Sequence, residues 1–197
     1  MSRAADRWAH SLPAVEQGCV LIANPSLFAT SQTYFRQAVI FIYSHSDSAG
    51  SAGIILNRAT EKRFRDVTNN EQFKDFSDSL LWLGGDVGRS TMHVMHPEHI
   101  GGTRVVPGVA MGGFDAARLA LLQGRMERDE CRFFTRYSGW GPGQLADEVA
   151  QGVWFVAACS ANVILEGSAT PAEMWADVLT LMGGEYARMA ATTLAEE

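Results

Sequence analysis

The stretch from Cys131 to Ala158 constrains the fold more than any other part of this chain. Its first part, Cys131–Tyr137, is rich in aromatic and β-branched residues, which predicts a strand. The next six residues, Ser138–Gly143, contain three glycines and Pro142. They predict a corner at which the strand stops and a helix can begin, because glycine permits unusual backbone angles and proline suits the first helical position.

The helix after this corner is predicted over Gln144–Gln151. Leu145 and Val149 are spaced to share its buried side, and Gly152 is placed to end it. The following run, Val153–Ala158, is almost entirely apolar, which is typical of a strand covered on both faces. This strand, corner, helix and strand therefore locate the core of the protein.

Upstream, three apolar runs with short links predict an antiparallel meander. They are Cys19–Ala23, Ala38–Tyr43 and Gly53–Asn57. Between the second and third lies Ser44–Gly50, whose small polar residues and glycine predict a turn. Other predicted elements are strands at Leu80–Leu83, His93–Met95 and Thr103–Met111, and helices over Ala116–Gln123 and from Pro171 onward.

These elements predict a single compact domain of the mixed α/β (α+β) class. Its sheet is expected to be mixed but largely antiparallel and to be flanked by helices. The length of 197 residues suits one full hydrophobic core. We assign residues 15–185 to the domain, residues 1–14 to a flexible lead-in and residues 186–197 to a C-terminal tail.

Charge and cysteine content argue against several classes of protein. The net charge of −6 and the pI near 5.4 disfavour a large nucleic-acid-binding surface. Cys19, Cys131 and Cys159 lie in apolar runs without CxxC spacing, so we expect reduced, buried thiols. No apolar run approaches the roughly 20 residues of a membrane span. We predict a soluble protein of a reducing compartment, without a cofactor or a metal.

Three regularly spaced histidines, His93, His96 and His99, form the first candidate site. Three imidazoles can ligate zinc. On a strand, however, this spacing places neighbouring histidines on opposite faces, and Pro97 prevents a regular helix. We therefore interpret the three as histidines of a surface loop.

Two glycines after the Leu80–Leu83 run form the second candidate. Gly84 and Gly85, followed by Arg89, are able to offer backbone amides and a positive charge to an anion. The run lacks the GxGxxG order and the Walker lysine. A tight turn that requires glycine is the alternative.

The third candidate combines residues of the meander. His45, Asn57 and Arg58 flank its second and third strands and offer a base, an amide and a guanidinium to a groove. Asn57 can equally satisfy backbone groups where its strand ends. The groove and the structural role of Asn57 are both open at this point.

The glycine-rich corner is the fourth candidate. Gly139, Trp140 and Gln144 would present an indole on which a sugar or a base can stack. A tryptophan at such a corner can instead pin a strand and a helix to the core. We expect binding in a groove between this corner, the His45 loop and Arg58.

Taken together, several stretches resemble the YqgE/AlgH family. They are Gly18–Pro25 (GCVLIANP), the His45 loop, Gly50–Arg58 (GSAGIILNR), Leu83–Val87 (LGGDV), His96-Pro97, and Tyr137–Leu145 (YSGWGPGQL) followed by Trp154. The resemblance covers roughly residues 15 to 185. It implies a compact single-domain α/β fold with a mixed sheet flanked by helices.

Two later segments, ACSAN and MWADVLTLMGGEY, look similar to the plant and algal branch of that family. This implies a plastid protein, or otherwise a cytoplasmic one, although no Ser/Arg-rich transit peptide is present. The chain departs from the family pattern at Ser51, Ala59 and Asp86. Asp86 adds a negative charge to the glycine turn, which weakens the prediction of an anion site there.

The leading functional hypothesis is a non-enzymatic binding or regulatory protein that acts through an unknown protein partner or a small ligand. It rests on the lack of a complete catalytic constellation in the sequence. One alternative is a hydrolase or transferase in which His45 is the base and Arg58 holds an anionic group. The other is a nucleic-acid-binding regulator that uses Arg132 and Arg136, which the acidic composition disfavours.

Overall fold

The computed structural model describes residues 6–28, 33–168 and 170–195. Its sheet is organised around β10 (Arg132–Trp140). The first part of β10 pairs in parallel with β6 (Leu80–Leu83) and antiparallel with β7 (Val87–Pro97). Its last residues pair antiparallel with β4 (Gly50–Ile55). β10 therefore joins the two halves of one large sheet.

The half of the sheet that contains β4 is antiparallel throughout. It continues through β3 (Val39–Ser46), β2 (Val20–Ala23) and β11 (Trp154–Cys159). The predicted meander is therefore confirmed. At the edge lies β1 (Ala9–Ser11), which pairs with β11. This short strand falls inside the segment expected to be a flexible lead-in, and Ala9 is buried.

The other half of the sheet is built on β6 and β7. β5 (Ala59–Arg63) pairs with β6, and the order β7, β9 (Val109–Met111), β8 (Thr103–Val106) completes the sheet. The single strand expected over Thr103–Met111 is thus a hairpin. Of the strand pairs in the described residues, only β6 with β10 is parallel, so the mixed, largely antiparallel α/β domain is confirmed.

Helices cover both faces of the sheet. In the described residues they are α1 (Pro25–Phe28), α2 (Phe64–Val67), α3 (Phe114–Leu122), α4 (Gln144–Ala150), α5 (Ala161–Glu166), α6 (Pro171–Met182) and α7 (Gly184–Ala195). Short 3-10 helices occur at Thr33–Phe35, Glu71–Phe76, Glu98–Ile100 and Arg128–Glu130. Among the helices described, none combines the length and the apolar character needed to cross a membrane.

The central strands are buried on both faces, as their apolar runs predict. In β3, Phe41 belongs to a cluster with Trp175 of α6, whereas Ile40 and Ile42 belong to a cluster with Leu145 of α4. A third cluster lies around Phe133 of β10 and is covered by α2 and α3. The core is therefore divided into three clusters that meet at the sheet.

The strand β10 is longer than the sequence predicts. It runs through Ser138 and Gly139 to Trp140, so the expectation that the glycine-rich corner ends this strand at Tyr137 is wrong. The ladder to β4 supplies backbone hydrogen bonds over these residues. A bulge at Arg136, whose φ of 64° is left-handed, lets the strand change partners.

Gly84 and Gly85 allow the exit of β6 to pass against β10. A Cβ atom on Gly85 would lie 2.0 Å from the carbonyl carbon and oxygen of Tyr137. A Cβ atom on Gly84 would lie 2.6 Å from the carbonyl oxygen of Arg136. No side chain fits at either position without moving backbone, so both glycines are required by the packing of the two strands.

We expect Gly85→Ala to lower the free energy of unfolding by about 1–3 kcal/mol or more, because the added methyl group overlaps backbone atoms. Gly139→Ala is the matched control. Its Cβ atom would meet a side-chain atom of Tyr137 at 3.2 Å and no backbone atom, so a smaller loss is expected. Urea unfolding followed by circular dichroism measures both, and equal losses would contradict this account.

Candidate functional site

The structure divides the predicted site residues into two groups, and the first contains Arg58, Gly84 and Gly85. Tyr34 connects them. Its hydroxyl donates a hydrogen bond to the carbonyl oxygen of Gly85 at 2.7 Å, and the Arg58 guanidinium donates to the carbonyl oxygen of Tyr34 at 3.4 Å. Partial burial lowers the pKa of Arg58. These residues tie the 3-10 helix at Thr33–Phe35 to the sheet.

The second group contains His45 and Trp140, which share a face of the sheet with Ser51. His45 pairs with Ser51 across the strands, and Ser51 pairs with Trp140, so the three side chains point the same way. The Nδ1 atom of His45 lies 2.8 Å from Ser51 Oγ. Arg58 lies beyond Ile55, at the end of β4 opposite to Ser51. The backbone of Gly85 packs against that of Tyr137, three residues before Trp140 on β10. A shared groove between the two groups stays a prediction.

The corner residues Trp140 and Gln144 are held by one carboxylate, that of Glu148. Its Oε2 atom accepts hydrogen bonds from the indole nitrogens of Trp140 at 2.9 Å and Trp154 at 2.7 Å. Its Oε1 atom accepts from the side-chain amide of Gln144 at 2.9 Å. Trp140 is only 8% exposed, so its indole fastens α4 to the sheet and offers little surface for stacking.

Asn57 is fully buried, and its side chain makes three hydrogen bonds. Its Oδ1 atom accepts from the Val39 amide at 3.1 Å, and its Nδ2 atom donates to the carbonyl oxygens of Gln37 and Pro171 at 2.8 Å each. These bonds join the start of α6 to β3. The geometry favours the structural role of Asn57.

The histidine series lies mostly inside the fold. His93 is half-buried between two tyrosine rings, and burial lowers its pKa. His96 is fully buried, with each ring nitrogen 2.9 Å from a backbone carbonyl oxygen. The surface-loop interpretation is wrong for these two, because β7 is longer than predicted and contains both. In the described residues no group of three or more His, Cys, Asp or Glu side chains is placed to hold a metal.

A cleft of ≈ 870 Å³ lies between β6, β10 and α5. Clefts of about 300–1,000 Å³ are typical of sites for small molecules. We call it the Arg132 cleft, after the buried arginine in its lining. Its lining includes Ser79, Leu80, Trp82, Arg132, Asn162 and Leu165.

Arg132 is held in place by backbone carbonyls and aromatic rings. Its Nη2 atom donates to the carbonyl oxygen of Leu56 at 2.6 Å, and its Nη1 atom donates to that of Ile164 at 3.4 Å. The guanidinium carbon lies 4.0 Å from the centre of the Trp82 ring and 5.0 Å from that of Phe134. Arg132 is 6% exposed, so these contacts surround a buried cation.

The positive charge of Arg132 has no carboxylate partner among the described residues; its two acceptors are neutral carbonyl oxygens. A guanidinium has five N–H donors, and the Nε donor of Arg132 has no described acceptor. Burial lowers the pKa of Arg132 to about 9, because removal from water disfavours the charged form. The group is therefore a desolvated cation that remains charged at neutral pH.

Ser79, which also lines the cleft, carries a second buried polar atom without a partner. It is 8% exposed, and its Oγ atom has no hydrogen-bond partner among the described residues. Buried polar atoms without a partner are uncommon in folded proteins. Two of them, Ser79 Oγ and Arg132 Nε, belong to residues that line one cleft.

The charges at the rim of the cleft are more balanced than the charge inside it. Arg128 lies 3.5 Å from Asp78, and Glu166 lies 3.5 Å from Arg7. Such solvent-exposed pairs contribute little energy. The lining as a whole contains four acidic side chains and three arginines, so one negative charge is in excess.

From the sequence alone Arg132 is a candidate for a nucleic-acid surface, and no sequence pattern predicts the cleft. One signal was present. Arg132 and Phe134 are two residues apart on a strand and share a face, so an arginine occupies a position at which the pattern predicts an apolar residue. The carbonyl oxygens of Leu56 and Ile164 come from distant segments, and no local pattern brings them to Arg132.

The sequence matches known proteins over most of its length. A family model described as AlgH-like, DUF179, matches residues 20–187. A UPF0301 protein of Chlorobium phaeobacteroides is 34% identical over 177 residues, which cover 87% of this chain and 89% of that protein. A UPF0301 protein of Chlorobium luteolum is 32% identical over 174 residues, covering 86% and 87%. These relatives are bacterial and give no support to the plant and algal branch.

Two solved structures share the fold. A crystal structure of a Corynebacterium diphtheriae protein has a TM-score of 0.72 at 22% identity and covers 95% of this chain and 98% of its own. The solution structure of the AlgH protein of Pseudomonas aeruginosa has a TM-score of 0.66 at 21% identity, with coverages of 89% and 93%. At these identities the likeness concerns the fold alone.

The three cysteines are buried free thiols, as the sequence predicts. Burial raises the pKa of Cys19 to about 11 and those of Cys131 and Cys159 to about 12. In an unfolded chain the thiols would ionise near their ordinary value of 9.0. High pH therefore favours the unfolded state, which releases these protons first.

We expect the free energy of unfolding to fall as the pH rises from about 9 toward 11–12. Each thiol contributes up to about 1.4 kcal/mol per pH unit within that window. Cys131→Ala removes one contribution, so its stability should decline less steeply than that of the wild type. Urea unfolding between pH 8 and pH 10.5 measures the two slopes, and parallel slopes would count against buried, protonated thiols.

Proposed function

The chain belongs to the AlgH-like DUF179 family, and we propose that it is a non-enzymatic binding protein whose small ligand occupies the Arg132 cleft. One observation carries the proposal: a cleft of ≈ 870 Å³ is lined by the Trp82 ring, by Leu80 and Leu165 and by the buried cation of Arg132. Apolar and aromatic side chains with a few polar groups are the usual lining of small-molecule sites of this volume.

The placement of the reactive side chains supports binding over catalysis. His45, the candidate base, contacts Ser51 near the start of β4, whereas Arg58 lies beyond the end of that strand and donates to the carbonyl oxygen of Tyr34. The three thiols are buried and protonated at neutral pH. A regulatory role, a protein partner and a plastid location stay predictions drawn from the sequence.

Trp82 provides a direct readout of this proposal, since it is the one tryptophan among the described residues that line the cleft. We expect compounds that raise the melting temperature to change the intrinsic fluorescence, and Trp82→Phe to abolish that change. At 100 times its Kd, a ligand should stabilise the fold by about 2.7 kcal/mol. A thermal-shift screen of neutral and anionic compounds, followed by fluorescence titration, makes the measurement.

Trp8→Phe is the matched control, because Trp8 is 39% exposed and is not part of the cleft lining. It should leave the ligand-dependent signal unchanged. A signal that survives Trp82→Phe but disappears with Trp8→Phe would place the ligand elsewhere. That outcome would overturn the assignment of the cleft.

A hydrolase is the second candidate function, and the contact of 2.8 Å between His45 Nδ1 and Ser51 Oγ favours it. A serine beside a base is the first requirement of nucleophilic catalysis. The third member of a triad is poorly placed, because Asp47 is solvent-exposed and lies 3.8 Å from His45 Nε2. Ser51 itself is only 8% exposed.

We therefore expect a fluorophosphonate probe to leave Ser51 unmodified, since a buried hydroxyl without an oriented base is a weak nucleophile. Mass spectrometry of the intact protein and of its peptides checks this. Labelling of Ser51 that is lost in His45→Ala would instead establish the enzymatic alternative.

The nucleic-acid alternative loses one of its two arginines in the structure. Arg132 is 6% exposed and cannot reach a phosphate backbone. Arg136 is half-buried at the bulge of β10. The acidic net charge of −6 adds to this argument.

A further inference from the structure

We propose that His96 is a buried imidazolium and that its second proton acts as a pH-sensitive clamp between β7 and the start of α3. One ring nitrogen holds the carbonyl oxygen of Pro97, and the other holds that of Gly112. This clamp is a regulatory device of the fold, and it is independent of the ligand proposed for the Arg132 cleft.

The acceptors around the His96 ring require two protons. Its Nδ1 atom lies 2.9 Å from the carbonyl oxygen of Pro97, and its Nε2 atom lies 2.9 Å from that of Gly112. A carbonyl oxygen only accepts hydrogen bonds, and a neutral imidazole carries a single N–H donor. In the neutral ring, one nitrogen lone pair would therefore point at an oxygen lone pair. Only the imidazolium donates to both oxygens.

Burial makes this count of donors decisive. His96 is 0% exposed, and both ring nitrogens are already within hydrogen-bond distance of protein oxygens, which leaves no place for water at either nitrogen. Hydrogen bonds from a charged donor are roughly twice as strong as neutral ones. Two such bonds offset part of the cost of burying the charge.

No side chain shares the ring of His96. The titratable and charged residues on the elements around it are His93, Glu98, His99, Arg104, Asp115, Arg118, Cys131 and Arg132. In the described part of the chain, none of them forms a hydrogen bond or an ion pair with His96. Glu98, the carboxylate nearest in the sequence, is paired with Arg104 at 3.3 Å. The two carbonyl oxygens therefore set the protonation of the ring.

Gly112 is the partner that can move when the proton leaves. Gly112 and Gly113 have left-handed φ angles of 77° and 69°, and a Cβ atom on Gly112 would meet nothing within 4 Å. Pro97, in contrast, follows His96 directly in the chain and pairs with Val109 of β9. Loss of the Nε2 proton should therefore release the Gly112 carbonyl, while the bond to Pro97 remains.

The clamp borders two cavities. Pro97 lines the Arg132 cleft. Gly112 and Gly113 line a second cavity of ≈ 420 Å³, together with His93 and Phe114. The proton on His96 thus fixes one wall of the smaller cavity, and a rise in pH should loosen that wall.

Nitrogen-15 NMR of the full chain with labelled histidines tests the protonation of the ring. An ordinary histidine loses its second proton near pH 6.5. We expect the His96 ring to show two N–H nitrogens at pH 7.5, and the Gly112 carbonyl carbon to shift together with the ring when that proton is lost. A ring with one N–H at pH 7.5 would overturn the imidazolium. A Gly112 shift that does not follow the ring would overturn the clamp.

Urea unfolding provides an independent measurement. Above about pH 6.5 the folded protein keeps a proton that the unfolded chain releases, so its stability should fall as the pH rises. The unfolding equilibrium constant should increase up to about tenfold from pH 7 to pH 8. This window lies above the range in which His93 titrates, since burial lowers its pKa, and below the ordinary value of 9.0 for the thiols.

His96→Gln should flatten this dependence on pH, because an amide side chain does not titrate. His99→Gln is the matched control, since His99 is exposed, and it should leave the dependence unchanged. Equal slopes for the wild type and His96→Gln would overturn the proposal. If His96→Gln does not fold, the NMR measurements on the wild type decide it.

Discussion

The architecture depends on the double pairing of β10. The first part of β10 pairs with β6 and β7, and its last residues pair with β4. The two halves form one sheet only because β10 changes partners along its length. The change requires the left-handed residue Arg136 at the bulge. It also requires that Gly84 and Gly85 carry no side chains where β6 leaves the sheet. These backbone constraints explain why the glycines are present without any need for a bound anion.

The same strand places the Arg132 cleft. Because side chains alternate along a strand, Phe133 enters the cluster under α2 and α3, whereas Arg132 and Phe134 face the opposite side. There the guanidinium meets the carbonyl oxygen of Leu56 and the end of α5. The register of β10 in the sheet thus sets the position of the Arg132 side chain. A shift by one residue would move that side chain to the other face of the sheet.

Most residues that attracted attention in the sequence have roles in holding elements together. Asn57 joins α6 to β3, Glu148 gathers the corner around Trp140, and Tyr34 connects Arg58 to Gly85. A polar side chain at the end of a strand can hold two elements together or bind a ligand, and its sequence context does not distinguish these two roles. What distinguishes them is whether the hydrogen bonds of the group are already filled by the protein.

The sequence by itself determined the fold class, the antiparallel meander, the helix after the glycine-rich corner and the burial of the three thiols. These follow from local periodicity and composition, which depend on neighbouring residues. It did not determine the length of β10, the hairpin of β8 and β9 or the burial of His96, because strand pairing overrides local turn signals. Only the tertiary structure decided the cleft, since Arg132, Ser79, Leu56 and Ile164 are brought together by contacts between segments far apart in the chain.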